Sequence, residues 1–430
     1  MQKLRVSVVI PYRQRLPWLR RVLAALAEQT LPRTEFEVVV GAVDHCPEFL
    51  ATCAEFDDRL TVVAVVAGGE WNVGRARNLA LRQARGEVTV LLDADVALPP
   101  TALARLYDSH FAAGQRVCVL GRMHGYDARV EDDRDLLPFD AYRDVLRDLE
   151  RPEGAPDDVR WRLPDTPLAW TLVWTGLVAL PTADLHRHDL WFDEEFRVWG
   201  SEDQEWGLRV AEAGVPIVRG DGLTGLHLPH SRDVTSNYRA LRDNKRYLLA
   251  KWPRLDVELY LAVNFTDANA EYPAVAREVA DLAAPGTRLG VARGLVDGVT
   301  ALDVGVVLDE ADRIVDPQLA ARFDGGTPTE VLPLVGLALP WPDGSVVECR
   351  LLPPIEALTP RYREAVTREA RRVAGRVDPP PDTGKETRCS TRESPGTRPA
   401  SRWRWSTPTA GPSHRPSGSR PAAPPRSSAT

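Results

Sequence analysis

The stretch VTVLLDADVALP, residues 88–99, contains an apolar segment that is followed at once by two carboxylates. Its first five residues are apolar or β-branched, which predicts a buried β-strand. Asp93 and Asp95 then stand at the carboxyl end of that strand, where ligands bind in open α/β sheets. Two neighbouring carboxylates repel each other unless a cation joins them. A divalent metal that also holds diphosphate oxygens would account for the pair, and a polar turn after a strand is the plain alternative.

Strand-like and helix-like segments alternate around this stretch. Apolar runs at residues 6–10, 36–40 and 61–66 predict strands, and apolar residues at helical spacing predict helices at residues 16–29 and 73–84. Mostly apolar strands that are joined by helices are typical of a parallel sheet covered on both faces. The first half of the chain is therefore predicted to be an α/β, Rossmann-like domain.

The pattern starts again after this domain, with strand-like segments at residues 257–263 and 304–308. We predict a first domain over residues 1–255, a small accessory α/β region over residues 256–375 and a tail over residues 376–430. The tail is rich in Pro, Ser, Thr, Gly and Arg without periodicity, so it is predicted to be disordered. Its arginines would allow peripheral contact with an anionic membrane surface.

The composition excludes several classes of protein. The chain has 430 residues, of which 43% are apolar and 27% are charged, and its formal net charge is -7. A mildly acidic chain is a poor candidate for nucleic-acid binding, and no apolar run approaches the length that spans a bilayer. The cysteines show neither a disulfide framework nor a zinc pattern, which predicts a cytoplasmic protein. They are Cys46, Cys53, Cys118, Cys349 and Cys389.

A second group of polar residues lies in VWGSEDQEWGLRVAEAG, residues 198–214. Gly200 is predicted to interrupt the regular secondary structure, and Glu202 and Asp203 then begin a predicted helix. Acidic residues at a helix N-terminus are ordinary caps. Asp203 could equally act as a general base that takes a proton from an acceptor hydroxyl, and Trp199 beside it could stack on a sugar ring.

A third group lies in GLHLPHSRD, where His227 and His230 are separated by two residues. Pro229 between them disfavours a helix, so an extended segment or turn is predicted. Imidazole nitrogens suit Mn²⁺ and similar ions alongside a carboxylate such as Asp95. A single histidine is usually structural, but two at this spacing favour a metal site in a chain that also carries the D-x-D pair.

Basic residues follow the first predicted strand and accompany a later helix. In IPYRQR, Arg13 and Arg15 stand where their guanidinium groups could bind a diphosphate, beside the N-terminus of the next helix. The segment WNVGRARNLAL contains further residues that could hold phosphate or ribose, or cap a helix. These are Arg75, Arg77 and Asn78.

In chain order the motifs are IPYRQR, N-x-G-x-A-R-N, DAD after a strand, WGSED and H-x-x-HSRD. Together they resemble the GT-A glycosyltransferases over residues 4–245. The first half is similar to the family 2 enzymes. The later motifs are similar to the galactosyltransferase C-terminal region that lactosamine-forming and chondroitin-synthase-like enzymes share. The resemblance implies a GT-A fold with a mostly parallel mixed sheet, a nucleotide-sugar donor and a saccharide or other hydroxyl-bearing acceptor.

The resemblance also implies a role for each motif residue. The residues that would contact UDP are Pro11, Tyr12, Arg13 and Arg15, with Asp44 near the base, Arg75 near phosphate and Asp93 near ribose and metal. The residues that would ligate Mn²⁺ or Mg²⁺ are Asp95, His227 and His230. The residues that would serve the acceptor are Glu202 and Asp203, with Trp199 and Gly200 as further contacts.

These observations favour an inverting hexosyltransferase, with Asp203 as the base and a cation on the leaving diphosphate. A retaining transferase of the polypeptide N-acetylgalactosaminyl kind has a similar W-G-x-E motif and is one alternative. A GT-A domain that only binds sugar or nucleotide is another, although the intact acidic and histidine positions favour an enzyme. The first strand is not followed by G-x-G-x-x-G, which disfavours a nicotinamide oxidoreductase.

Overall fold

The computed structural model describes residues 3–43, 46–125, 136–151, 158–230 and 234–378. The tail was predicted to begin at residue 376, but residues 376–378 belong to a β-strand, and the rest of the predicted tail lies outside the described residues. The described residues up to Asp378 belong to one compact unit and form two β-sheets. The division into a catalytic domain and an accessory region within this unit stays a prediction.

The first sheet is built from the apolar runs of the first half of the chain. Its strands are β1 (Val6–Tyr12), β2 (Phe36–Ala42), β3 (Val62–Val66), β4 (Val88–Leu92), β5 (Val96–Ala97), β6 (Cys118–His124), β7 (Leu177–Pro181) and β8 (Ile217–His227). Within the described residues their order is β3-β2-β1-β4-β7-β6-β8-β5. The first four pair in parallel, as do β6 and β8, whereas β7 is antiparallel to both of its neighbours. The predicted mostly parallel, mixed sheet is confirmed.

Helices follow the strands and cover the sheet. They are α1 (Leu16–Ala27), α2 (Pro47–Ala54), α3 (Val73–Leu81), α4 (Ala102–His110), α5 (Phe139–Asp148), α6 (Thr182–Arg187) and α7 (Glu202–Glu212). Every residue of β1 is buried. Val8 and Ile10 enter one hydrophobic core while Val9 enters another, because successive side chains of a strand point to opposite faces. The sheet is therefore covered on both faces, which explains its nearly continuous apolar strands.

The second sheet lies in the later part of the chain. The elements there are α8 (Val234–Lys251), α9 (Leu255–Ala262), α10 (Phe265–Asp281), β9 (Arg288–Val296), β10 (Val299–Leu308), α11 (Pro317–Ala321), β11 (Glu330–Leu332), β12 (Val346–Leu351), α12 (Pro353–Glu356), α13 (Pro360–Val373) and β13 (Ala374–Asp378). The strand order is β11-β9-β10-β12-β13.

One of the two strands predicted in this later part is confirmed and the other is wrong. Residues 304–308 belong to β10, but residues 257–262 lie in the helix α9. Val257, Glu258, Leu259 and Tyr260 follow one another in α9 and all are buried. A short apolar run does not distinguish a helix that is buried on all sides from a buried strand.

One hydrophobic core joins the second sheet to α7 and to the segment before β7. Trp170 and Leu208 belong to the same cluster of buried side chains as Leu302 and Val366 of the later region. Glu258 is fully buried beside this cluster. Its carboxylate accepts the backbone N–H groups of residues 335–338 at distances of 2.5–3.4 Å. Burial raises the pKa of Glu258 to about 7, although these four hydrogen bonds favour its ionised form.

No helix in the described ranges is both long enough and apolar enough to cross a membrane. The described cysteines are free thiols, namely Cys46, Cys53, Cys118 and Cys349, and Cys389 lies outside the described residues.

Candidate functional site

The structure brings the three predicted metal ligands together at the end of β8. The short strand β5 pairs with β8 so that Val96 lies opposite His227, and the Leu228 backbone N–H donates to the Asp95 carbonyl at 2.8 Å. His227 Nε2 lies 3.9 Å from Asp95 Oδ1, and His230 Nε2 lies 3.4 Å from Asp95 Oδ2. One ligand atom from each of the three buried residues lies within 4.8 Å of the other two.

The Arg15 guanidinium lies against this group. It donates to the Asp95 carboxylate, and its Nη2 lies 3.2 Å from His230 Nδ1. The Trp18 indole N–H donates to the Pro229 carbonyl at 3.0 Å and so holds the histidine segment against α1. One carboxylate and two imidazoles form a donor set that suits Mn²⁺. The Arg15 guanidinium beside them is itself a cation, so it would repel a metal ion and compete with it for the Asp95 carboxylate.

A second polar centre surrounds Arg77, which is 3% exposed. Its Nη2 donates to Asp93 Oδ1 at 3.2 Å, and its Nη1 lies 3.3 Å from both Glu202 Oε1 and Asp203 Oδ1. Burial lowers the pKa of Arg77, but the negative charges of the three carboxylates outweigh it and raise that pKa overall. Arg77 is therefore a permanent cation that joins the end of β4 to the start of α7.

Thr175 fixes the carboxylate of Asp203. The Thr175 hydroxyl donates to Oδ1 and its backbone N–H donates to Oδ2 at 3.2 Å. Thr175 is fully buried and precedes β7, far from Asp203 in the chain. Sequence reasoning missed Thr175 because no local motif surrounds it, and the contact depends on how the two segments pack.

The loop before α7 has a constrained backbone. Gly200 has a φ of +101°, and a Cβ at this position would lie 2.8 Å from Leu241 Cδ1 of α8. The Asn244 side chain, also on α8, donates to the carbonyls of Val198 and Gly200 at 2.9 and 2.6 Å. Trp199 is 50% exposed on this fixed loop, so its indole is available to stack on a ligand.

Two of the carboxylates around Arg77, those of Glu202 and Asp93, have raised pKa values. Burial, and then the charge of Asp203, raises the pKa of Glu202 to about 7 although Arg77 opposes this change. Burial likewise raises the pKa of Asp93 to about 6, with Arg77 opposing and Asp95 contributing. This centre therefore carries more carboxylates than its one guanidinium can neutralise.

The predicted donor-binding residues of the first strand differ in their surroundings. Pro11 and Tyr12 are both buried in β1. The Tyr12 ring is 1% exposed and stacks on Phe49 with ring centroids 4.6 Å apart, so it faces the interior. The Arg13 guanidinium lies 5.4 Å from the centroid of the Trp71 ring.

The first turn of α3 carries another residue that was predicted to bind the donor. Arg75 donates through its side chain to the Gly68 carbonyl at 3.0 Å. Asn72 caps α3, because its side chain accepts the Arg75 backbone N–H at 2.8 Å. Asp44 lies outside the described residues, so its predicted contact with the base stays a prediction, as do the roles of the other site residues.

Comparison with known proteins gives the family. Residues 7–160 match the profile described as "Glycosyl transferase family 2". The chain is 30% identical over 426 residues to validoxylamine A glucosyltransferase from Streptomyces hygroscopicus subsp. limoneus, and the match covers 88% of this chain and 91% of that protein. It is 28% identical over 213 residues to poly(ribitol-phosphate) beta-N-acetylglucosaminyltransferase TarS from Staphylococcus aureus (strain Mu50 / ATCC 700699), covering 48% of this chain and 32% of TarS.

Solved structures give a weaker similarity. The mannosyltransferase PcManGT from Pyrobaculum calidifontis, in complex with GDP-Man and Mn²⁺, aligns with a TM-score of 0.42 and 21% identity. The alignment covers 66% of this chain and 77% of PcManGT.

The mixed sheet, the glycosyltransferase profile and the long match to a curated glucosyltransferase define a glycosyltransferase of the GT-A fold. More narrowly, the chain belongs to glycosyl transferase family 2.

Proposed function

We propose that the protein transfers a hexose or N-acetylhexosamine from a UDP-sugar to an acceptor hydroxyl with inversion at the anomeric carbon. One observation carries this proposal. Arg77 joins Asp93, two residues from the Asp95–histidine group, to Asp203 at the start of α7. The group proposed to bind the donor therefore lies close to the carboxylate proposed to activate the acceptor. Direct displacement requires this, because the acceptor hydroxyl must attack the donor sugar while its proton is removed. A hexose is supported by the similarity to a glucosyltransferase.

The donor would bind along the ends of β1 and α3. The residues proposed to contact UDP are Pro11, Tyr12, Arg13, Arg15, Asp44, Arg75 and Asp93. Tyr12 would do so through its backbone, because its ring is buried against Phe49. Asp95, His227 and His230 would hold Mn²⁺ or Mg²⁺, an ion that neutralises the charge of a leaving diphosphate when bound. Arg15 contacts two of these three residues and would contribute a second positive charge beside the diphosphate.

Asp203 would take the proton from the acceptor hydroxyl. Its Oδ2 accepts the Thr175 backbone N–H, and a carboxylate oxygen can accept a further hydrogen bond. Glu202 would bind the acceptor, with Trp199 and Gly200 as further contacts. In this proposal residues 1–255 form the catalytic domain and residues 256–375 form an accessory region. Residues 198–230, which resemble the galactosyltransferase C-terminal region, would supply the acceptor-binding residues and the two histidine ligands of the metal.

A donor screen tests this function. UDP-, GDP- and TDP-sugars are incubated with the full chain in the presence of Mn²⁺ or EDTA, and nucleotide release is measured. We expect release from a UDP-sugar with Mn²⁺ and its loss in EDTA. Release that is insensitive to EDTA would reject the metal, and release from other nucleotides alone would reject the UDP-sugar donor. The anomeric configuration of the product, determined by NMR, would separate inversion from retention.

A further inference from the structure

The helices α8 and α9 carry a cation and a hydroxyl near the loop before α7, which contains Trp199 and Gly200. Lys245 Nζ lies 5.6 Å from the centroid of the Tyr260 ring. The Tyr260 ring packs edge-on against Trp170, with ring centroids 5.3 Å apart. Lys245 directly follows Asn244, the residue that binds the Gly200 carbonyl. Lys245 and Tyr260 therefore lie where the loop before α7 meets the later part of the chain.

Helical spacing explains why Lys245 faces this junction. Leu241 and Lys245 are four residues apart on α8 and so share a face of the helix, and Leu241 contacts Gly200. Burial, and then the charges of Asp203 and Glu202, raises the pKa of Tyr260. The Tyr260 hydroxyl is therefore within electrostatic reach of the proposed base.

Lys245 differs from its neighbour on the same helix in how its charge is balanced. Lys251 Nζ lies 2.6 Å from Asp193 and 2.8 Å from Glu205. Lys245 is partly buried, and within the described ranges neither its ammonium nor the Tyr260 hydroxyl has a hydrogen-bond partner or an ion-pair partner. Burial also lowers the pKa of Lys245. A partly buried cation without a counter-charge is less well solvated than one in water, and a bound anion would offset this cost.

We propose that Lys245 and Tyr260 form a subsite for an anionic group of the acceptor, so that the acceptor class is a phosphorylated or acidic saccharide. The ammonium offers three hydrogen-bond donors and the phenol offers one, which suits the oxygens of a phosphate or a carboxylate. With its anionic group held there, the acceptor can present a hydroxyl to Asp203. This inference rests on the proposed function, which makes Asp203 the acceptor-side base.

The subsite can be tested by titrating three sugars into the full chain at constant ionic strength. Glucose, glucose 6-phosphate and glucuronate are compared by calorimetry, with UDP and Mn²⁺ present and again without them. We expect at least one of the anionic sugars to bind about 10-fold more tightly than glucose. A preference for glucose 6-phosphate would indicate a phosphate site, and one for glucuronate would indicate a carboxylate site.

Variants separate a binding role from a structural one. Lys245→Met is expected to abolish the preference for the anionic sugar, while Lys245→Arg keeps it and Tyr260→Phe weakens it about 3-fold. Arg239→Met is the matched control, because Arg239 is an exposed cation of the same helix, and this variant should keep the preference. If the cation–π contact only holds α8 against α9, Lys245→Met would lower the melting temperature and leave the preference unchanged.

Three outcomes would overturn the subsite. These are equal affinities for charged and neutral sugars, no binding of either anionic sugar, or a preference that survives in Lys245→Met. A wild-type chain that fails to bind UDP with Mn²⁺ would instead reject the proposed donor site. The titrations without UDP would still decide the subsite in that case.

Discussion

Replacing Asp203 by asparagine is expected to abolish transfer and to spare donor binding. In the structure Oδ1 accepts the Thr175 hydroxyl and lies 3.3 Å from Arg77 Nη1, while Oδ2 accepts the Thr175 N–H at 3.2 Å. An asparagine can keep an oxygen at the Oδ1 position. Its amide NH₂ then replaces Oδ2, faces the Thr175 N–H and cannot take a proton from an acceptor.

The magnitudes of the two effects differ. Loss of a general base typically lowers the rate by about 10²–10⁴-fold, which corresponds to about 3–5 kcal/mol of barrier. Loss of the charge that faces Arg77 weakens hydrogen bonds to a charged group, at a cost of about 1.5–3 kcal/mol in stability. The fold should survive this loss, because Asp203 sits at the partly exposed start of α7, with 22% of its side chain accessible.

The assay compares acceptor kcat/KM with UDP affinity, which is measured by calorimetry in Mn²⁺. Asp203→Asn should lose turnover and keep the wild-type UDP affinity. Thr175→Val keeps the base and removes the hydroxyl that orients it, so an intermediate loss of about 10-fold in kcat is expected. Thr89→Val is the matched control, because Thr89 is also fully buried and its hydroxyl lies 2.8 Å from that of Thr182. Near-wild-type transfer by Asp203→Asn would show that Asp203 is a structural partner of Thr175 and Arg77 and not the base.

Three further predictions concern the metal site, the later region and the pH dependence of stability. Asp95→Asn should weaken UDP binding in Mn²⁺ to the level that the wild type shows in EDTA, and equal wild-type affinities in Mn²⁺ and EDTA would reject the metal site. Glu258→Gln should lower the free energy of unfolding by about 2–4 kcal/mol, because an amide NH₂ would face buried backbone donors. Exposed Glu364→Gln is its control and should stay within about 0.5 kcal/mol of wild type, so a similar small effect of Glu258→Gln in denaturant unfolding would contradict the reasoning. The pKa of Glu202 is raised from 4.5 to about 7, so its stabilising contribution is fully present below pH 4.5 and is lost as the pH rises through 7, by up to about 3 kcal/mol. Glu202→Gln should lack that loss in unfolding measurements across this pH window, and identical pH profiles for wild type and variant would refute the assignment.

Local sequence patterns predicted the elements that carry the site. An apolar run followed by two aspartates predicted strand β4 and the carboxylates at its end. A glycine followed by acidic residues, at Gly200 and after it, predicted the start of α7. The meeting of Asp95 with the two histidines was predictable as a hypothesis, because Asp95 follows a predicted strand and the closely spaced histidines are residue types that bind a metal alongside a carboxylate. Such features depend on residues that are close in the chain, so periodicity and turn chemistry are sufficient to predict them.

Other contacts arise between residues that are distant in the sequence. No pattern distinguishes the Arg77 side chain, which lies between three carboxylates, from an arginine that binds phosphate or caps a helix. Thr175 orients the Asp203 carboxylate and Asn244 binds the loop before α7, and these two residues lie on either side of that loop in the chain. The segment of α9 has the composition of a strand, and its helical conformation is decided by a core that surrounds it on all sides.

The apolar periodicity of the chain therefore determined the mostly parallel sheet and placed its acidic residues at the strand ends. The tertiary structure decided which of the charged groups face one another and which of them are withdrawn from water. Burial and the distance between charges set the pKa of Glu202 and leave Lys245 without a counter-charge within the described residues. Both quantities depend on the packing of segments that lie far apart in the sequence, which no local pattern contains.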